Sequence, residues 1–119
     1  MRSKMLLTLS LFSLAASMGF AQKMDPDKMA KYQTDLMVKE LDLSEVQQEK
    51  VTKLNEKYSV KMADLMNREG SMLGKMGEMK SIKKEKNAEL EKVLSKEQMK
   101  KFEKELEPEM RKTMRKKMS

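Results

Sequence analysis

Apolar residues recur along this chain at spacings of three and four. Met29, Tyr32, Leu36 and Met37 lead toward Leu41, and Val51, Leu54, Tyr58, Met62 and Leu65 form a second series. Met76, Met79, Ile82, Leu90, Val93 and Leu94 form a third, and Met99, Phe102, Leu106 and Met110 a fourth. This is the period of the α-helix, and it lays each series along one stripe with charged residues opposite. Aromatic residues are few and runs of β-branched residues are absent, so strands have little to be made from. The pattern predicts an all-α chain with helices over roughly 26–41, 45–67, 75–94 and 96–115.

Punctuation separates the stripes. Asp25-Pro26 opens the first helix as an N-cap followed by proline at the first helical position. A break at Leu41-Asp42-Leu43-Ser44 precedes the second. The polar stretch from Asn67 to Gly77, with Gly70, Gly74 and Gly77, is the expected reversal of a central hairpin. Lys83, Glu85 and Lys86 weaken the middle of the third stripe. Pro108 is expected to kink or restart the last helix, and the basic tail Arg111 to Ser119 to fray. One hairpin of such helices is too thin to cover its own stripes, so the outer helices or a second copy must do so. A homodimer is the physical expectation.

The first residues follow a different logic. Arg2 and Lys4 precede an apolar run from Met5 to Ala16, and Gly19-Phe20-Ala21 has the small residues of a cleavage site. The run is about a dozen residues, short of the ~20 that span a bilayer. Residues 1–21 are therefore expected to be a cleaved signal peptide, and 22–119 a single helical domain without stable membrane insertion. No Cys near the cleavage site is present to carry a lipid. Export directs the protein to the periplasm of a bacterial envelope.

Charge and side-chain chemistry then narrow the functions. Lys and Arg number 26 against 19 Asp and Glu, for a net +7. Export removes the chain from cytoplasmic nucleic acid, which leaves acidic or unfolded polypeptides or an anionic surface as partners. The same charge also serves solubility alone. With neither His nor Cys, catalytic triads, thiol nucleophiles and the usual zinc sites are excluded, and no enzyme, cofactor or metal is expected. Thioethers suit Cu(I), and Met62, Met66, Met72, Met76 and Met79 are the sharpest candidates for it. Core packing is the preferred reading of those methionines.

One pattern occurs twice. Leu43-Ser44-Glu45-Val46-Gln47 and Leu94-Ser95-Lys96-Glu97-Gln98 share Leu-Ser-x-x-Gln. Each has the parts of a capping box, in which the Ser hydroxyl accepts from a backbone N–H three residues on and the Gln reaches back. Leu94 and Met99 also stand where a hydrophobic staple would; in the first copy Gln48 takes that position and the staple is missing.

At these residues the chain resembles the Spy/CpxP family of periplasmic proteins, whose signature is a pair of Leu-Thr-x-x-Gln (LTxxQ) motifs. Serine stands here for threonine in both, keeping the hydroxyl and losing a methyl. The resemblance covers most of the chain beyond the leader. It implies a four-helix, hairpin-based protein forming an antiparallel, cradle-shaped dimer. It also implies an ATP-independent holdase of the envelope stress response that binds unfolded or partly folded envelope proteins. A cradle of that type needs a surface both basic and adaptably apolar. Lys53, Lys57 and Lys61, at i, i+4 and i+8, and Met72, Met76 and Met79, with Lys75 and Lys80 among them, are the candidate client surface. Ordinary core methionines and a solvated lysine face are the plainer alternative. The second functional reading is a regulator docking on an envelope sensor, or a Met-based copper buffer. Metal-handling relatives use His or Cys, which this chain lacks.

Overall fold

Asp25 starts the first helix as its sequence suggests. Its Oδ1 accepts from the backbone N–H of Asp27 at 3.0 Å and of Lys28 at 3.4 Å, and Pro26 takes the first helical position. The computed structural model describes residues 24–118; the leader expected at 1–21 lies outside the described residues. The helices are α1 (Pro26–Leu41), α2 (Glu45–Asn67), α3 (Met72–Val93), α4 (Lys96–Lys101) and α5 (Glu107–Met118). A π-helical turn, Phe102–Leu106, joins α4 to α5, so the three run on as one fourth helical element. There is no strand among the described residues, and the fold is all-α. No helix there is long and apolar enough to cross a membrane.

Neighbouring helices run antiparallel. Asn55 of α2 donates to Thr34 Oγ1 of α1 at 2.9 Å. At the far end of the same pair, Asn67 and the backbone of Met24 exchange two hydrogen bonds, at 2.9 and 3.1 Å. Lys57–Glu89 and Lys61–Glu85 tie α2 to α3 at 3.3 and 3.5 Å. The last element returns along α3 and α1: Lys83 meets Glu107 at 2.8 Å, and Tyr32 Oη donates to Thr113 at 3.0 Å.

The core sits at one end, where the two motifs lie. Met37, Leu41, Leu43, Val51, Leu90, Leu94, Met99, Phe102, Leu106 and Met110 form one buried cluster. Each helical element contributes at least one residue to it. Burying such side chains removes ~25 cal/mol for each Å² of apolar surface taken from water, so this end carries most of the stability.

Three expectations need correction. The third helix begins at Met72, not near 75, because Ser71 Oγ accepts from the Gly74 N–H at 3.2 Å and caps it. The reversal shrinks to four residues, and Gly70 makes it with φ +122°, a backbone state that L side chains rarely adopt. Gly74 and Gly77 are helical residues rather than turn residues. The tail does not fray after Arg111; α5 continues to Met118. Pro108 lies inside a continuous helical element and does not restart it. Glu107 N–H donates to the Phe102 carbonyl five residues back, and this widened turn just ahead of the proline relieves the crowding its ring would cause.

A Cβ at Gly77 would meet nothing within 4 Å. Gly77→Ala should therefore stabilise the protein by about 0.5–1 kcal/mol, whereas Gly70→Ala should destabilise it. Urea denaturation of the two variants beside the parent checks both signs.

Candidate functional site

The paired motif is a structural joint. Both capping boxes form as expected: Ser44 Oγ accepts from Gln47 N–H at 3.2 Å, and Ser95 Oγ from Gln98 N–H at 3.1 Å. Gln47 Oε1 accepts from Ser44 N–H at 3.1 Å and Gln98 Oε1 from Ser95 N–H at 2.9 Å. The spacing alone did not disclose that the two boxes meet. Gln47 Nε2 donates to Gln98 Oε1 at 2.8 Å, and Gln98 Nε2 returns a bond to Gln47 Oε1 at 3.3 Å. The remaining N–H groups cross over to helix ends: Gln47 Nε2 to the Val93 carbonyl at 3.1 Å, Gln98 Nε2 to the Leu41 carbonyl at 3.0 Å. Each amide thus uses both acceptor and both donor positions. Leu43 and Leu94 go into the core beneath. Where the first staple is missing, Gln48 Nε2 instead donates to the Leu43 carbonyl at 3.1 Å.

The proposed lysine stripe is elsewhere. At 100° per residue, Lys53, Lys57 and Lys61 lie on the side of α2 opposite Met66. Lys57 and Lys61 pair with Glu89 and Glu85, and Lys53 with Glu49 at 3.7 Å. Lys57 and Lys61 also stand 5.1 and 5.3 Å from the Tyr58 ring centroid. Tyr58 is buried and donates its hydroxyl to Glu89. Burial, then that bond to the carboxylate, pushes Tyr58 up to about 12, while the Tyr58 hydroxyl and Lys57 hold Glu89 below its usual value. Lys75 is not on the basic surface either. It is buried, and its Nζ donates to the carbonyls of Met66 (3.2 Å) and Arg68, closing the C-terminal end of α2.

The methionines do converge. Between the core and the reversal the four helical elements enclose an open groove of about 470 Å³, with Phe102 and Met110 of the core in its lining. Met72, Met76 and Met79 of α3 line it, opposite Met62 and Met66 of α2. Four methionines that the stripes did not single out for this surface join them: Met24 and Met29 at the start of α1, Met110 and Met114 from α5. The expectation of a frayed tail hid the last helix's share, although the four-residue spacing of Met110 and Met114 was its signal. Lys80, Lys83, Lys86, Arg111 and Arg115 also face the groove, with Glu107 as its one carboxylate. Glu107 is engaged by Lys83 and by Asn87 Nδ2 at 2.9 Å. Ser59, 2% exposed, lines the groove with a hydroxyl that has no hydrogen-bond partner. No group of His, Cys, Asp and Glu suited to a metal occurs among the described residues.

Lys86 is half-buried at the back of the groove and donates to Gln33 Oε1 at 2.7 Å. Burial pushes it down to about 8, against the opposing pull of Glu107.

The chain belongs to the family described as a domain of unknown function (DUF4890), which matches residues 17–102. Neither a curated protein nor a solved structure matches it.

Two outcomes follow from this geometry. Gln47→Ala or Gln98→Ala strands helix-end carbonyls and one face of the partner amide, and each should cost about 1–3 kcal/mol. The double variant should lose clearly less than the two losses added, since each single change already breaks the shared pair; a double-mutant cycle in urea measures this. For Lys86, the unfolded chain holds a proton between about pH 8 and its ordinary value of 10.5 that the folded chain has released. Stability should therefore rise with pH across that window, by on the order of 1–3 kcal/mol, and Lys86→Met should flatten the rise. Denaturation midpoints taken up to about pH 10 test it, below the range where the raised Tyr58 acts in the opposite sense.

Proposed function

We propose that this member of the DUF4890 family is an exported, ATP-independent holdase of the Spy/CpxP type, acting in the periplasm during envelope stress. The observation that supports this most directly is the convergence of nine methionines from four helices and the segment entering α1 on one open groove. Methionine is unbranched and polarizable, so a surface made of it accepts many apolar shapes without selecting one. Basic side chains at its rim raise the encounter rate with acidic, partly folded chains. Client side chains enter the groove while their backbone stays in water. The paired Leu-Ser-x-x-Gln motifs support the Spy/CpxP likeness, and an antiparallel, cradle-shaped homodimer is part of the same reading.

The client surface in this proposal differs from the one that spacing suggested. Met72, Met76 and Met79 remain in it; Lys53, Lys57 and Lys61 do not, being committed to carboxylates on the other side of α2. Lys80, already among the expected residues, stays in it, and Arg111 and Arg115 add to the charge. Those same groups weigh against the copper-buffering reading, because a Cu(I) ion among the thioethers would share its groove with five basic side chains.

Aggregation of a chemically unfolded test protein, followed by light scattering without ATP, decides the matter. Suppression is expected at a near-stoichiometric ratio. Met62→Ser/Met76→Ser should remove about half or more of it through lost apolar contact, and Lys53→Gln/Lys57→Gln/Lys61→Gln should leave it unchanged. Absence of suppression at several-fold excess overturns the proposal.

A further inference from the structure

The groove has a mismatch between its walls and its mouth. Its walls are mostly thioethers and hydrocarbon, and polar side chains such as Ser59, Gln33 and Asn87 are too few to pair a run of backbone groups. A peptide backbone drawn inside would leave N–H and C=O groups unpaired, at a cost of ~1–3 kcal/mol each. An alkyl chain carries no such groups. The mouth has the opposite character. The Lys83–Glu107 bridge fixes the antiparallel register of α3 and α5, so Lys80 and Arg111 stand one turn further along on facing helices. Arg115 follows Arg111 by one more turn. All three are exposed, all three line the groove, and none makes an ion pair among the described residues. The groove's own carboxylate is already used by Lys83 and Asn87. Positive charge is thus gathered along the rim of an apolar slot without an ion-pair partner among the described residues.

We propose that this groove binds one fatty acid, its alkyl tail among the methionines and its carboxylate on Arg111, Arg115 and Lys80. A volume of about 470 Å³ lies within the ~300–1,000 Å³ typical of small-molecule sites, and the space between helices of a bundle is a usual place for one. A planar carboxylate matches the fork of a guanidinium and takes two parallel hydrogen bonds from it. Methionines suit a tail because they follow its bends without fixing its length. This inference does not depend on holdase activity; it requires only that the slot be open and its mouth cationic.

Titration calorimetry of the purified protein with dodecanoate, dodecanol and dodecyltrimethylammonium separates the contributions, since the three share a tail and differ in head-group charge. Saturable binding of one dodecanoate per chain is expected, about tenfold or more tighter than the cationic amphiphile. Arg111→Gln/Arg115→Gln changes two exposed side chains without ion-pair partners among the described residues, so folding should be spared. It should weaken dodecanoate about five- to tenfold and leave dodecanol alone. Met62→Gln/Met76→Gln should weaken all three. Equal affinity for the anionic and cationic amphiphiles overturns the proposal, as does non-saturating, detergent-like uptake. So does a groove that takes up no dodecanoate because a second copy of the chain fills it, which sizing alongside the titration reveals. A protein that binds dodecanoate but fails to hold unfolded chains supports this inference while removing the holdase reading; the reverse result does the opposite.

Discussion

Two glutamine side chains, 51 residues apart, hold this molecule in register. Gln47 and Gln98 each accept from the serine that starts their own helix, exchange a hydrogen bond with each other, and donate to the last carbonyl of a helix belonging to the other motif. A helix end leaves backbone groups without partners, and here two starts and two ends are served by one pair of amides. The arrangement is cooperative because no donor or acceptor of the pair is spare. Moving one motif by a single residue would strand several polar groups at once beside a buried core. Leu43 and Leu94, directly beneath, convert that polar registry into apolar packing.

From this joint outward, fewer large apolar side chains are fully buried. Near it the interior is filled by Leu, Val and Phe102, with Met37, Met99 and Met110 buried among them. Toward the reversal at Gly70 the same four elements enclose the groove, where most methionines stay partly exposed. Stability is concentrated at one end, and the other is free to be adaptable. Both functional proposals draw on that division, because a binding surface that changes shape must not be the part that holds the fold.

Charge is sorted by the same geometry. The regular lysine stripe of α2 is neutralised by glutamates of α3 and its own helix, in exposed pairs that contribute little individually. Lys75 is withdrawn into the structure to close α2. Positive charge without an ion-pair partner among the described residues is left around the groove, on Lys80, which the sequence had placed there, and on Arg111 and Arg115, which it had not. Lys86, inside it, illustrates the cost of placing an ammonium among apolar side chains, which burial expresses as a lowered affinity for its proton.

Much of the fold was legible from local rules. The 3–4 spacing of Val51, Leu54, Tyr58, Met62 and Leu65 gave a helix whose ends agree with the expected 45–67, and Asp25-Pro26 and the two serine boxes placed three helix starts. Those signals are local because helix hydrogen bonds and caps reach only three or four residues. The expectations failed at two places where another local device prevailed. Ser71 outcompeted the glycines for the start of α3, and the π-helical turn carried the chain past Pro108 into a tail that its own composition left unsupported. Only tertiary contact could show that Gln47 and Gln98 bind each other, that Glu85 and Glu89 claim the lysines, and that Met24 and Met114 share a groove. Which stripe faces which, and which charge finds a partner, depends on residues tens of positions away. Periodicity determines that a helix has two faces; the helices packed beside it decide what each face is for.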